Sequence, residues 1–191
     1  MRVLVAPDSF KGSLTSVQVA RALRQGWLRA RPRDTVELSP LADGGEGTLD
    51  AVAAAGGWLE LPAMARDPLG EPLDGRFLRR DDEAVIELAT ASGLSLLMPD
   101  QRDAMAASTF GTGLILAAAI GLGVRRVVLG LGGSATTDGG SGLIRALGAR
   151  LLDANGVDLP MGGGSLDRLA KVDLSGLSPV LGEVSLSIAS D

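Results

Sequence analysis

Three times in this chain a short apolar run stops at a turn rich in glycine, proline or acid and hands over to a helical pattern. That rhythm restricts the fold more than any other feature. Arg2-Val3-Leu4-Val5-Ala6 ends at Pro7, crosses the polar turn Asp8-Ser9-Phe10-Lys11-Gly12-Ser13 and opens a helix from about Ser16 to Ala30. Thr15 with Gln18 three residues on is a capping-box pattern, Val19, Ala20, Leu23 and Trp27 share one helical face, and Pro32 closes the segment. Val36-Glu37-Leu38 leads through Pro40–Gly47 into a helix from about Thr48 to Ala55, ended by Gly56-Gly57. Val124–Gly130 leads through Gly132–Gly140 into a helix from about Ser141 to Leu147. Apolar runs without alternation suit strands buried on both faces of a parallel sheet, and strands alternating with helices build an α/β layer fold.

Between these units the texture changes. Asp67-Pro68-Leu69-Gly70 is a turn, and Asp74–Leu78 is expected to pair with Glu83–Leu88 as a hairpin across Arg79-Arg80-Asp81-Asp82. A boundary is placed near Ala63–Arg66, dividing the chain into segments 1–64 and 65–191. Thr109–Gly121 reads as an Ala-rich helix, Arg150-Leu151-Leu152 and Ser185–Ala189 as strands, and Met161–Lys171 as loop with a short helix.

Composition narrows the chemistry. With 46% hydrophobic and 21% charged residues, 191 residues suffice for a globular core. A net charge of -5 and a pI near 4.8 speak against a general nucleic-acid binder. The longest apolar run, Leu114–Ile120, is too short to span a bilayer, and Met1 leads straight into a strand pattern with no secretory signal, so a cytoplasmic protein is expected. The chain has no His, Cys or Tyr, which excludes a Ser-His-Asp triad, a thiol nucleophile and a His/Cys zinc site. A general base must be Asp, Glu or Lys, and side chains would offer a metal hard oxygen ligands that suit magnesium. Phosphoryl transfer fits these limits.

Three turns carry the candidate chemistry. In Gly130–Gly140 the glycines permit close backbone approach. Free amides at a helix start, with the Ser134, Thr136 and Thr137 hydroxyls, can cradle phosphate, and Asp138 is suited to magnesium or to a base. The alternative is that the glycines serve packing alone. In Asp8–Ser13, Lys11 stands out because the chain has two lysines against sixteen arginines. A compact ammonium fits a phosphate or carboxylate at the carboxyl edge of a strand, against a plain Asx turn with a solvated lysine. In Asp43-Gly44-Gly45-Glu46-Gly47-Thr48, two carboxylates can orient a hydroxyl or ligate magnesium, against an acidic helix start favoured by the helix dipole. Gly130-x-Gly132-x-x-Ala135 after a strand, with Asp153 about twenty residues on, also matches a dinucleotide fingerprint and keeps an NAD-dependent oxidoreductase open.

Taken together, Ala6–Leu14, Ala42–Thr48 and Gly130–Gly140 resemble the bacterial-type glycerate kinases. Weaker echoes are Asp67–Gly70, Ile86-Glu87-Leu88-Ala89 with Ala91–Leu94, and Thr109–Gly113. The resemblance runs the length of the chain in order. It implies a flavodoxin-like, Rossmann-like parallel-sheet domain plus part of a second α/β domain, with ligands in the cleft between. Family members are close to double this length, so these 191 residues correspond to an N-terminal half, and the non-enzymatic alternative is an inactive truncated remnant that binds a nucleotide weakly or serves as an interaction module. The implied reaction moves the γ-phosphoryl group of magnesium ATP to a hydroxyl of D-glycerate. Catalytic candidates are then Lys11, Asp8, Asp43 and Asp138, with Asp43 and Asp138 also the candidate metal ligands. Ser9, Gly44, Gly45, Glu46, Gly132, Gly133, Ser134, Thr136, Thr137, Gly139 and Gly140 are the candidates for binding substrate and phosphate.

Overall fold

The computed structural model describes residues 1–190. Strand β1 (Arg2–Val5) and strand β2 (Thr35–Leu38) pair in parallel, Arg2 opposite Thr35 and Val5 opposite Leu38, with helix α1 (Ser16–Ala30) connecting them. The expected capping box opens α1: Gln18 N–H donates to Thr15 Oγ1 at 3.2 Å, and Thr15 N–H to Gln18 Oε1 at 2.9 Å. Helix α2 (Thr48–Ala54) follows.

Strands β3 (Leu59–Arg66), β4 (Pro72–Arg80) and β5 (Glu83–Glu87) form an antiparallel meander. Then come α3 (Ala89–Ser92), α4 (Phe110–Gly121), β6 (Arg126–Gly130), α5 (Ser141–Ala146), β7 (Arg150–Leu152), β8 (Lys171–Asp173) and β9 (Ser185–Ala189). The main sheet has the order β3-β4-β5-β6-β9, with β5, β6 and β9 parallel. Strands β7 and β8 pair separately and antiparallel. The α/β class is as expected, with a mixed main sheet beside the parallel β1–β2 pair.

The hairpin is also as expected, but tighter. Its strands run on to Arg80 and restart at Glu83, leaving a two-residue turn in which Asp81 takes φ 54°. Strand β3 was not foreseen. The boundary drawn at Ala63–Arg66 falls inside it, and Pro62 is tolerated there because β3 lies at the edge of its sheet.

On one face of the main sheet, Phe77, Ile86, Val127 and Leu129 pack on Ile115, Leu116 and Ala119 of α4. On the other, Leu78 and Val85 pack on Leu49 of α2, with Val52 and Trp58 at the margin. The β1–β2 pair is thinly covered by comparison: Val19 and Ala20 of α1 are buried, while Leu4 stays 64% exposed. Among the described residues no helix is long and apolar enough to cross a membrane.

Candidate functional site

Parallel pairing puts Glu87, Gly130 and Ala189 side by side at the carboxyl edge of β5, β6 and β9. The carboxyl ends of β1 and β2 lead into the Lys11 bend and the Asp43 bend. The two edges meet through glycine. A Cβ added at Gly44 would land on the carbonyl oxygen of Ala189; one at Gly132 would lie 2.5 Å from Gly45 Cα, and one at Gly130 would lie 2.6 Å from the Gly44 carbonyl oxygen. These backbones touch because no side chain intervenes. Packing therefore accounts for part of the glycine enrichment.

Beside this junction opens a cleft of about 560 Å³, lined by Ser9 to Thr15 and Gln18, by Asp43, Gly45, Glu46, Gly47 and Asp50, and by Leu131, Gly132 and Gly133. All three motif segments contribute. Lys11 Nζ stands 3.9 Å from Asp43 Oδ2, with 87% of its side chain exposed. Gly45 N–H donates to Asp43 Oδ1 at 2.9 Å, fixing the bend from within. Asp50 faces Arg76 at 2.9 Å, and Arg76 also meets Glu60 at 2.6 Å. Burial works against the Arg76 charge, but these two carboxylates outweigh it and hold the guanidinium protonated. Among the described residues the amides of Gly132 and Gly133 donate to no protein acceptor. With Lys11 set against Asp43, Glu46 and Asp50, the cleft favours an anion that arrives with a cation.

Several expected residues lie outside the cleft lining. Asp8 closes its own turn, accepting from Ser9 N–H at 2.6 Å. Gly44 belongs to the junction. Ser134 shares a 2.9 Å hydrogen bond with Thr136, and Thr137 Oγ1 donates to the Ala104 carbonyl at 2.6 Å. Gly139 and Gly140 make the left-handed turn into α5, with φ of 59° and 81°. Asp138 is 1% exposed. Its Oδ2 accepts from Thr109 N–H and Oγ1–H at 2.9 Å each and from Gly142 N–H at 3.0 Å, and its Oδ1 accepts from Gly140 N–H at 3.1 Å. A carboxyl group buried this fully needs hydrogen-bond partners, and here they come from the starts of α4 and α5. Among the described residues no group of three or more acidic side chains is spaced to hold a metal.

Two acids matter that the motifs did not single out. Asp50 follows Glu46 by four residues, so helical spacing was its only signal. Glu87 ends β5 with 4% exposure. It accepts from Gly47 N–H at 3.1 Å through Oε1 and from Leu49 N–H at 2.9 Å through Oε2. Burial pushes its carboxyl above the usual glutamate range, and the two amides offset that only in part.

The dinucleotide pattern does not assemble. Asp153 follows β7, which pairs with β8 and is not a neighbour of β6, and its carboxylate is occupied by Asn155 N–H at 2.8 Å and Val157 N–H at 2.9 Å. Ala135 N–H donates to the Ser92 carbonyl at 2.9 Å.

Comparison with known proteins agrees with the motif content. A model of the glycerate kinase family matches residues 3–191. Glycerate kinase of Bacillus subtilis (strain 168) is 43% identical over 193 aligned residues, covering 100% of this chain and 50% of the relative. Glycerate 2-kinase of Escherichia coli (strain K12) is 42% identical, covering 100% and 51%. A crystal structure assigned to glycerate kinase 2 of Salmonella typhimurium LT2 superposes with a TM-score of 0.86 at 40% identity, covering 100% of this chain and 52% of that one. The chain spans about half the length of the curated relatives it matches. On the matched family model and these identities over its whole length, the chain belongs to the glycerate kinase family.

Proposed function

We propose that the cleft between the Lys11 bend, the Asp43 bend and Gly132-Gly133 takes magnesium ATP and D-glycerate and transfers the γ-phosphoryl group to a glycerate hydroxyl. The observation that carries this is the convergence of the Lys11 ammonium, the Asp43 and Glu46 carboxylates and the two unpartnered amides of Gly132 and Gly133 on one cleft. The Gly132 and Gly133 amides donate to phosphate oxygens. Lys11, flexible and exposed, neutralises charge on the transferring group. Asp43, within reach of Lys11, accepts the hydroxyl proton as the new O–P bond forms, the β–γ bridge breaks and ADP leaves. Hard oxygen donors fit magnesium. With no three-acid cluster among the described residues, the ion would share its coordination among phosphate oxygens, water and Glu46, and it would supply further neutralisation of the phosphates. Asp138 is assigned to structure and Asp8 to its turn. We place the protein in the cytoplasm, where ATP and magnesium are supplied.

The test is ADP release on adding D-glycerate to ATP and magnesium. It is run with the 191-residue chain alone and mixed with a polypeptide covering the remaining half of the Bacillus subtilis relative. Where turnover is seen, Lys11→Met and Asp43→Asn are each expected to lower it about 100-fold or more. Near-normal turnover by both variants refutes the residue roles. Absence of turnover in every arrangement favours an inert remnant. Thermal stabilisation by NAD but not by magnesium ATP would reinstate the oxidoreductase.

A further inference from the structure

We propose that Glu87 is a positioning residue for the cleft: its two oxygens grip the first amides of α2 and thereby set the Asp43–Gly47 bend against Gly132-Gly133. The proposal rests on the cleft being the phosphoryl-transfer site. Helix α2 has seven residues and is preceded at its cap position by Gly47, which sits at φ 89° and has no side chain to cap the free amides. A helix this short does not hold its own start in place. Glu87, forty residues away and fixed in the main sheet opposite Gly130, supplies the missing acceptors. Thr48 Oγ1 donates to the Gly45 carbonyl at 2.7 Å, so the grip on α2 passes directly into the bend. Bend and helix start are thus hydrogen-bonded to the sheet edge at Glu87, and the bend packs against the Gly132 backbone through Gly45.

The grip needs both oxygens as acceptors, which only the carboxylate offers. The charged groups acting on Glu87 are Arg76 on β4, which favours its ionised form, and Asp50 on α2, which opposes it. Burial outweighs the amide bonds, so Glu87 takes up its proton at a higher pH than a surface glutamate does. Protonation turns one oxygen into a donor and leaves one α2 amide without its acceptor. Glu87→Gln imitates that state with nearly the same shape.

The test is a pH titration of the 191-residue chain, following the Gly47 and Leu49 amide protons by NMR. Both resonances are expected to move together, with one midpoint above the ordinary glutamate range, while the Gly142 amide on Asp138 does not share it. Glu87→Gln is expected to abolish that titration and to weaken binding of magnesium ATP by about tenfold, as loss of an orienting partner does. Its melting temperature should move by only a few degrees, because loss of a buried charge offsets the lost acceptor. Absence of the shared titration in the wild type overturns the proposal, as does its persistence in Glu87→Gln or equal nucleotide affinity of the two proteins. The wild-type titration needs no variant to fold. If it is seen while the wild type binds no nucleotide, the grip on the bend stands and the assignment of the cleft falls.

Discussion

The Asp43–Gly47 and Gly132–Gly140 bends look alike in sequence and are held in opposite ways. Each follows a strand, contains an acid, and starts a short helix from a glycine that has no side-chain cap, Gly47 for α2 and Gly140 for α5. The second bend caps itself: Asp138 turns inward and takes five donors at the starts of α4 and α5, including a long one from Ser108 Oγ at 3.4 Å. The first bend is capped from β5 by Glu87, which leaves Asp43 and Glu46 on the cleft. A bend that borrows its helix cap leaves Glu46 and the second oxygen of Asp43 facing the cleft. A bend that supplies its own cap gives up its carboxylate to the fold.

The largest effect expected from this contrast is at Asp138. Asp138→Ala strands the amides of Thr109 and Gly142 and the Thr109 hydroxyl, and each unmet buried donor costs about 1–3 kcal/mol. A loss of roughly 3–5 kcal/mol in urea unfolding is expected. Unchanged stability would mean that the two bends are held alike and would return Asp138 to the catalytic candidates. Next comes Gly44→Ala. Gly44 sits at φ 93° with a built Cβ falling on the Ala189 carbonyl, so both backbone strain and crowding are expected. Unfolding should cost about 2–3 kcal/mol less in the variant. A smaller loss would show that the junction has room to shift.

How much of this was legible beforehand depends on range. The capping box at Thr15 and Gln18, the pairing of Asp74–Leu78 with Glu83–Leu88 and the strand-to-helix order follow from neighbouring residues, and the structure reproduces them with the hairpin turn shortened to Asp81-Asp82. Strand β3 was hidden because Pro62 breaks its pattern, and only its edge position makes that harmless. Asp138 attracted a chemical role because acid beside paired glycines is also what a phosphate or metal loop offers. Nothing local says whether the carboxylate turns to solvent or to Thr109. Glu87 lay in a resembling stretch yet carried no separate signal, since its partners are forty residues away. The glycines of Gly44-Gly45 and Gly130-Gly132 stand out in the sequence, but the backbone contact that requires them is tertiary.

A gentler probe uses pH. The native state holds a proton on Glu87 to higher pH than the unfolded chain does, because the folded carboxyl is pushed up by burial. As pH rises from the ordinary glutamate value toward the raised one, the unfolded chain gives up its proton first, and stability therefore declines across that window. Glu87→Gln should remove this decline, seen as a flatter plot of unfolding free energy against pH. A decline of the same slope in the variant would assign it to other groups.

The smallest effect on the fold should come from the two residues given the most chemistry. Lys11 is 87% exposed and stands 3.9 Å from Asp43, a separation and exposure at which an ion pair contributes at most about 0.5 kcal/mol. Asp43→Asn keeps an oxygen to accept from Gly45 N–H, so the bend retains its internal bond. Lys11→Met and Asp43→Asn should therefore unfold within about 0.5 kcal/mol of the wild type, while affinity for magnesium ATP measured by calorimetry drops. The reverse pattern, lost stability with unchanged affinity, would make Lys11 and Asp43 structural partners like Asp138 and erase the difference between the two bends.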